Sequence, residues 1–310
     1  MNVKIKRYLV IICSISCFLF MHWNNCYELH AETMKKPIAI MVGNSPEEIT
    51  HQTGIGDADV IYEMNVEFPF TRLMAIFLDD EHSIVGPVRS SRFYFSRIAA
   101  EWSTIFTHCG GQTLKNEQIS NLDQMRYSYP FWRDKNIGGW INLFTDTDKI
   151  REKSQQLGIP GTVNLKKNFL NFREKAKSGG EKRKITIKYH QKYTVSYEYI
   201  DNSNTYNRFV NNQSYLDSKT SKLINASNII VQYVPVNKIS GDKEGRLKVE
   251  VIGEGIAKVF SGGEYLIAKW IKESKDHNTL FYDGNGNMIK LNKGQTWIEI
   301  VSKETEVWIK

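Results

Sequence analysis

The fold of the first half is decided at residues 59–67, which read Asp-Val-Ile-Tyr-Glu-Met-Asn-Val-Glu. From Val60 to Val66 every second side chain is apolar, and the positions between are mostly polar. A period of two is typical of a strand with one face against the core. We therefore predict a half-buried strand, with Glu63 and Glu67 together on its polar face.

Apolar runs on either side predict further strands of the same sheet. Pro37–Val42 indicates a short buried strand, and Arg72–Leu78 indicates another. Asp79-Asp80-Glu81 is a turn signal, after which Ser83–Val88 leads back, so we predict a hairpin there. Thr104–Cys109 predicts one more strand, which opens into two glycines.

Helix signals alternate with these strands and give the first half its fold class. Capping side chains and helical spacing predict three helices. They run from Ser90 or Ser91 to about Trp102, over 112–122, and from Asp146 to Gly158. Residues 35–160 are therefore predicted to form an α+β or α/β domain with a mixed sheet.

The composition of the chain changes after residue 160. Residues 161–183 are rich in Lys and Arg and contain Ser178-Gly179-Gly180, which predicts a basic linker between domains. Residues 184–310 alternate apolar and polar side chains between Gly, Asn and Asp turns. We predict a mostly antiparallel β domain of seven to nine strands, folded as a small sandwich or half-barrel.

Residues 1–31 indicate export. A basic start is followed by an uncharged apolar run, Tyr8 to Trp23, which is shorter than the ~20 residues that a spanning helix needs. A cleaved signal peptide, an uncleaved N-terminal anchor and lipidation of Cys17 or Cys26 all remain open. Each predicts an extracytoplasmic protein, either secreted or anchored to the outer face of the cytoplasmic membrane.

Composition and charge narrow the classes of protein and of partner. The 310 residues are 41% hydrophobic and 24% charged, which excludes a disordered chain and a multi-span membrane protein. Residues 164–192 hold ten Lys and Arg against Glu174 and Glu181, a local charge of +8. That segment suits anionic wall polymers or lipid head groups, or is a solvated linker. Export argues against nucleic acid as a partner.

The densest polar motif is residues 86–92, Gly-Pro-Val-Arg-Ser-Ser-Arg. Arg89 and Arg92 lie at a predicted strand-to-helix junction, where guanidinium groups and free N–H groups bind phosphate or carboxylate. Arg72 adds a third cation. In the alternative interpretation these arginines pair with Glu63 and Glu67, and the two interpretations are compatible because such a network also lines pockets.

Other chemistry is sparse. His108 ends a predicted strand and is a candidate ligand contact, whereas a His108–Cys109 dyad is disfavoured because strand neighbours point to opposite faces. Cys109, the one cysteine after the targeting segment, is interpreted as a small buried hydrophobe. No pair of residues has the spacing of a zinc or calcium site, so we predict no metal and no cofactor.

These motifs together resemble the YerB-like family of bacterial envelope lipoproteins, whose domain has no assigned function. The resemblance rests on 37–44, 56–63, 86–90, 108–111 and 142–145 in the first half, and on 228–234, 281–283 and 294–298 in the second. It implies an exported two-domain envelope protein and adds Tyr94 and Asn142 to the candidate ligand-binding residues. The family usually has a His where this chain has Ile141, and the lipidation motif here is poor.

We predict a non-catalytic binding or accessory protein that recognises an anionic ligand or an envelope protein partner. The alternative is an enzyme or carrier acting on a phosphorylated or anionic cell-wall glycan, with Glu63 or Glu67 as acid or base. A purely structural β-rich interaction module is the third hypothesis. The predicted ligand-binding residues are Arg72, Arg89, Arg92, Glu63, Glu67, Tyr94, His108 and Asn142.

Overall fold

A computed structural model describes residues 31–67, 69–78, 82–114, 119–166, 170–181 and 184–310. The predicted targeting segment, apart from Ala31, and the predicted turn at 79–81 lie outside these residues. Within the described ranges, no helix has the length and apolarity needed to span a membrane.

The first half contains ten strands and three short helices among the described residues. They are β1 (Ala31–Lys35), β2 (Ile38–Asn44), α1 (Pro46–Ile49), β3 (Val60–Asn65), β4 (Thr71–Phe77), β5 (Ile84–Val85), α2 (Phe93–Glu101), β6 (Ile105–His108), β7 (Ser120–Asp123), β8 (Trp132–Arg133), β9 (Leu143–Asp146), α3 (Thr147–Gln156) and β10 (Thr162–Lys166). A 3-10 turn, Ile55–Asp57, precedes β3.

The described part of the second half contains only strands, thirteen instead of the predicted seven to nine. They are β11 (Lys184–His190), β12 (Tyr193–Ile200), β13 (Thr205–Val210), β14 (Gln213–Ser214), β15 (Asn225–Ala226), β16 (Asn228–Tyr233), β17 (Val236–Lys238), β18 (Leu247–Val249), β19 (Gly253–Ser261), β20 (Glu264–Lys272), β21 (Leu280–Tyr282), β22 (Thr296–Val301) and β23 (Glu306–Ile309).

A ten-stranded mixed sheet is built from both halves of the chain. Its order is β21-β20-β19-β16-β22-β3-β4-β2-β6-β7, so five strands come from each half. The halves meet where β22 pairs in parallel with β3, which places Glu299 beside Glu63. The predicted fold class, a mixed-sheet first domain followed by mostly antiparallel strands, is confirmed.

A second sheet covers one face of the first. Its order is β14-β13-β12-β11-β23, with β15 beside β13, and all of its pairs are antiparallel. Ile187 and Val195 of this sheet share one core cluster with Ile61 and Trp297 of the ten-stranded sheet. The C-terminal strands are therefore divided between two layers, and they do not form a separate small sandwich.

Both faces of β3 are buried, which corrects the predicted half-buried strand. Tyr62 and Met64 pack on the side of helix α2, with Phe95, while Ile61 and Glu63 face the second sheet and are fully buried. The sequence pattern suggested a solvated polar face because a layer contributed by distant residues is not visible in local alternation.

Two local predictions are wrong and one is confirmed. Residues 120–123 form strand β7, parallel to β6, instead of part of a helix. Ile119 and Leu122 have helical spacing, yet they enter opposite core clusters, as side chains three apart in a strand do. Strand β5 pairs with β9 and not with β4. Asp146 does cap α3, accepting from the backbone N–H groups of Asp148 and Lys149.

Candidate functional site

Three of the predicted arginines meet at one corner of the ten-stranded sheet. We define the arginine corner as Arg72, Arg89 and Arg92 with the carboxylates of Glu48 and Glu67. Glu67 lies in the β3–β4 connection, Arg72 in β4 and Glu48 in α1. Arg89 and Arg92 lie in the segment between β5 and α2. Three positive and two negative side chains leave a formal charge of +1.

Arg89 is the most buried arginine of the corner, with 8% of its surface exposed. Its Nε–H donates to the Glu48 carboxylate, which also accepts from the Ser45 N–H at 2.7 Å in a helix capping box. The carboxylate lies directly over Gly43, where a Cβ would come within 2.2 Å of it. Gly43 is therefore required for this ion pair to form.

The outer side of Arg89 is covered by one exposed tryptophan. Its Nη1 donates to the Trp140 carbonyl oxygen at 2.9 Å, and its guanidinium carbon lies 4.0 Å from the Trp140 ring centroid. The side chain of Trp140 nevertheless remains 63% exposed. Nη2 of Arg89 is buried without a hydrogen-bond partner among the described residues. The corner thus contains an unsatisfied buried donor beneath an exposed aromatic ring.

Arg72 and Arg92 share Glu67. Arg72 Nη2 lies 3.5 Å from one carboxylate oxygen of Glu67, and Arg92 Nη2 contacts the other. Their Nη1 groups donate to backbone oxygens of Ser90 and Ser91, at 2.7 and 2.8 Å. Nε of Arg92 is buried without a hydrogen-bond partner in the described part of the chain. Burial lowers the pKa of all three arginines, most directly through lost hydration of the charge.

The glycine pair after β6 fixes the path of the arginine segment. Gly111 adopts a φ of 88° and bridges to Ser91, so a Cβ there would meet the Ser91 oxygen at 2.2 Å. The Ser91 N–H donates to the Gly110 oxygen at 3.0 Å, and the Cys109 N–H donates to the Arg89 oxygen at 3.0 Å. Residues 89–91 are therefore held against the end of β6.

Tyr94 and His108 lie beside this segment as buried supports. Tyr94 donates to the Asn65 carbonyl oxygen at 2.7 Å, and burial raises the pKa of its phenol. The His108 ring contacts the Gly110 oxygen at 3.0 Å and the Asn121 side-chain oxygen at 3.3 Å. Burial lowers the pKa of His108 and favours neutral imidazole, so this ring adds no charge to the corner at neutral pH.

Asn142 organises the loop that carries Trp140. Its Nδ2 donates to the carbonyl oxygens of Asp134 and Ile137, and its side-chain oxygen accepts from Arg133 at 2.8 Å. Asn142 thus acts on the corner through the loop, and its own amide groups are occupied.

Glu63 does not join the arginine corner. It lies in a second group, which we call the Arg208 cluster: Arg208, Glu63, Glu299, Tyr189, Tyr193 and Tyr197. Glu63 pairs with Arg208 Nη2 at 2.5 Å and accepts from Thr71 and Tyr193 at 2.7 Å each. Both members of this ion pair are fully buried between the two sheets.

The Arg208 cluster holds two carboxylates against one guanidinium. Glu299 accepts from the phenols of Tyr189 and Tyr197, and the Arg208 carbon lies 4.3 Å from the Trp297 ring centroid. Burial, with the nearby Glu63 carboxylate, raises the pKa of Glu299 to about 8. Glu299 is therefore largely protonated at neutral pH, and the cluster links the two sheets.

Two other groups of residues carry side chains that could bind a metal or act as a nucleophile. His82, Asp146 and Asp148 come within metal-ligand distance of one another, but both His82 ring nitrogens already contact those carboxylates, at 3.5 and 2.8 Å. The Cys109 thiol is half-buried and donates to Gln124 at 3.3 Å, and burial raises its pKa, which disfavours a nucleophilic thiolate.

The charge of the basic segment, residues 164–192, is neutralised in part where the segment is described. Its lysines pair with exposed glutamates of the second half at 2.7–3.1 Å. The pairs are Lys177 with Glu264, Lys184 with Glu198 and Lys188 with Glu306. These contacts agree with the solvated-linker interpretation and reduce the charge available for an anionic surface.

Four residues that help define the two groups were not predicted from the sequence: Glu48, Trp140, Arg208 and Glu299. Glu48 carries a local signal, because Ser45 and Glu48 have the spacing of a capping box. Trp140 follows two glycines, which marks an exposed turn without indicating what the ring covers. Arg208 and Glu299 alternate within strands β13 and β22, and nothing local indicates that they meet.

Comparison with known proteins defines the class. The family described as "Protein of unknown function (DUF3048) N-terminal domain" matches residues 27–160, and its C-terminal domain matches residues 185–298. The chain belongs to this YerB-like family, as the resemblance predicted.

The particular relatives agree with that assignment. The chain is 26% identical over 279 residues to "Putative lipoprotein YerB" of Bacillus subtilis (strain 168), covering 87% of this chain and 82% of the relative. The crystal structure of YerB protein from Bacillus subtilis has the same fold. It matches with a TM-score of 0.77 at 24% identity and covers 90% of this chain and 95% of the solved one.

Proposed function

We propose that this protein is an extracytoplasmic binding or accessory protein of the cell envelope that recognises an anionic ligand at the arginine corner. The location rests on the basic and apolar start of the chain and on the relative's name as a lipoprotein. The class of ligand, an anion, rests on the residues of the arginine corner. If the ligand belongs to an envelope protein, the group that binds the corner is an exposed carboxylate or phosphate of that protein.

The observation that carries the proposal is the state of Arg89. Arg89 is buried, with 8% of its surface exposed, and its Nη2 has no hydrogen-bond partner among the described residues. Leaving such a donor unsatisfied costs about 1–3 kcal/mol, and an anion would remove that cost. Nε of Arg92 offers a second donor at the same corner.

Binding is favoured over catalysis. Glu63, the expected acid or base, is fully buried against Arg208, and Glu67 contacts the guanidinium groups of both Arg72 and Arg92. The enzyme or carrier hypothesis for an anionic glycan therefore lacks a free carboxylate in the corner.

Calorimetric titration of the full-length chain with an oligomer of glycerol phosphate tests the proposal, with a neutral dextran oligomer as the ligand control. We expect binding that weakens with salt and is lost in Arg92→Gln and Trp140→Ala. Trp308→Ala is the matched control, because Trp308 is also exposed and also lies near a cation, Lys188 at 6.0 Å. Equal binding by all variants, or none by the wild type, would reject the arginine corner as the site.

A further inference from the structure

Exposed apolar side chains are concentrated around the arginine corner. Twelve large apolar side chains are exposed among the described residues, and four of them adjoin this corner, including the two most exposed. They are Phe70 at 43%, Phe93 at 39%, Met125 at 72% and Trp140 at 63%. Exposed apolar side chains that are concentrated beside cations are typical of a surface that binds a ligand with an apolar part.

Trp140 contacts a side chain of the corner, and the other three lie next to the corner's backbone or to the segment that holds it. The Phe70 backbone N–H donates to the backbone carbonyl oxygen of Glu67 at 2.6 Å, and Phe93 directly follows Arg92 at the start of α2. Met125 Cγ lies 3.5 Å from the position of a Cβ on Gly110, whose oxygen accepts from Ser91. Trp140 stacks on Arg89. Four exposed apolar residues therefore adjoin the arginine corner or its backbone, and one of them stacks on a guanidinium group.

The net charge around the arginine corner indicates the charge of the polar group that would bind there. The corner has a formal charge of +1, and Arg97, whose guanidinium carbon lies 4.8 Å from the Phe93 ring centroid, adds another cation. The nearby Arg246, Asp242 and Glu244 form their own ion pairs and contribute −1. A single anionic group at the corner is complementary to this net charge.

We infer that the ligand of the arginine corner is an anionic lipid, one molecule with a phosphate or carboxylate head group and an apolar chain. The head group accepts from Arg89 Nη2 and Arg92 Nε, and the chain lies against Trp140, Met125 and Phe93. This inference rests on the proposed function and narrows it, because a water-soluble anion would leave the four apolar side chains in water.

The test uses the full-length chain in nanodiscs of phosphatidylcholine, so that any N-terminal anchor is accommodated. Three soluble probes are added separately: dihexanoyl phosphatidylglycerol, dihexanoyl phosphatidylcholine and glycerol phosphate. Hydrogen exchange is followed in residues 89–96 and 137–142, and in residues 264–272 of β20 as an internal reference. We expect phosphatidylglycerol to slow exchange in the first two segments by about fivefold or more, with no change in β20.

Substitutions of exposed apolar side chains test whether the apolar chain of the ligand contributes to binding. Trp140→Ala and Met125→Ser are expected to weaken binding of dihexanoyl phosphatidylglycerol about tenfold each, which corresponds to roughly 1.4 kcal/mol. Ile267→Ser, at a side chain that is 60% exposed on β20, is the matched apolar control and is expected to bind normally. Thermal melts confirm that each variant is folded, and both sites are exposed enough to tolerate substitution.

The outcomes distinguish this inference from the proposed function. If glycerol phosphate protects the same segments with equal affinity, the corner binds anions and the lipid inference is wrong. If dihexanoyl phosphatidylcholine binds as tightly as dihexanoyl phosphatidylglycerol, the surface binds lipid without requiring an anionic head group, and this part of the inference is wrong. If no phosphate-bearing probe changes the exchange of either segment, both proposals are overturned.

Discussion

The arginine corner and the Arg208 cluster contain the same chemical groups in opposite environments. Both place guanidinium groups against carboxylates and an indole ring. In the Arg208 cluster both partners of the ion pair are fully buried, and three phenols donate to the two buried carboxylates. At the corner, Arg72 and Arg92 are partly exposed, and Trp140 covers Arg89 from the solvent side.

The difference separates a structural role from a binding role. A buried pair between two layers is costly to break, because either partner alone is an uncompensated charge in a low-dielectric interior. A corner with an exposed aromatic ring and unsatisfied donors loses little by exchanging its partners for a ligand. Substitutions in the Arg208 cluster should therefore affect stability, and substitutions in the arginine corner should affect binding.

Removing Arg208 should give the largest effect. Arg208→Met leaves Glu63 without its cation, and we expect the free energy of unfolding to fall by about 3–5 kcal/mol. Chemical denaturation measures this change. The double variant Arg208→Met with Glu63→Gln should recover part of the loss, because the orphaned charge is removed. A loss below about 1 kcal/mol would contradict the role assigned to this pair.

Raising the pH should destabilise the protein through Glu299. The carboxyl has a pKa of 4.5 when unperturbed and about 8 in the folded protein, so the folded state binds the extra proton between these values. The stability from this proton is complete below pH 4.5 and is lost as the pH rises to about 8, by up to about 1.4 kcal/mol per unit. Denaturant titrations at pH 5 to 8 measure it. Glu299→Gln should flatten this part of the profile, and an unchanged slope would assign it to other groups.

Removing Arg89 should cost less stability and should also affect binding. Arg89→Met leaves the Glu48 carboxylate with its hydrogen bond from Ser45, so we expect a loss of about 1–3 kcal/mol in denaturation. Binding of the glycerol phosphate oligomer should be lost as well. Arg208→Met, if it remains folded at low temperature, should keep that binding, and its failure to do so would weaken the separation of the two groups.

Removing Trp140 should leave stability nearly unchanged. The side chain is 63% exposed, so Trp140→Ala should alter the free energy of unfolding by about 0.5–1 kcal/mol at most. Denaturation checks this value beside Trp308→Ala. A much larger loss would show that the ring is a structural cover of Arg89 and not part of a binding surface.

Much of the fold could be predicted from local patterns. Strands β2, β3, β4 and β6 and the cap of α3 follow from apolar runs and from one capping residue, Asp146. The missed elements have distant causes. Strand β7 forms because residues 120–123 pair with the edge of β6. Nothing in the sequence of this short segment alone excludes a helix.

Sequence patterns predicted the arginines of the candidate site better than they predicted the acidic residues that pair with them. Arg72, Arg89 and Arg92 do meet, as expected for a motif beside a strand end, and Glu67 joins them. The partner of Arg89 is Glu48, from α1, and Glu63 lies in the other group. Which acid reaches which arginine depends on the packing of layers, which the spacing of residues in one strand does not contain.

The sequence by itself determined that this is a β-rich, two-part chain with an export signal pattern and a concentrated arginine motif. These features are local, since they depend on composition, on a period of two and on residues a few positions apart. Only the tertiary structure decided that β22 lies beside β3, that the second sheet buries Glu63 against Arg208, and that Trp140 covers Arg89. Those contacts join residues 51 to 236 positions apart, and they form because burying both faces of the ten-stranded sheet outweighs the local preference of any one segment.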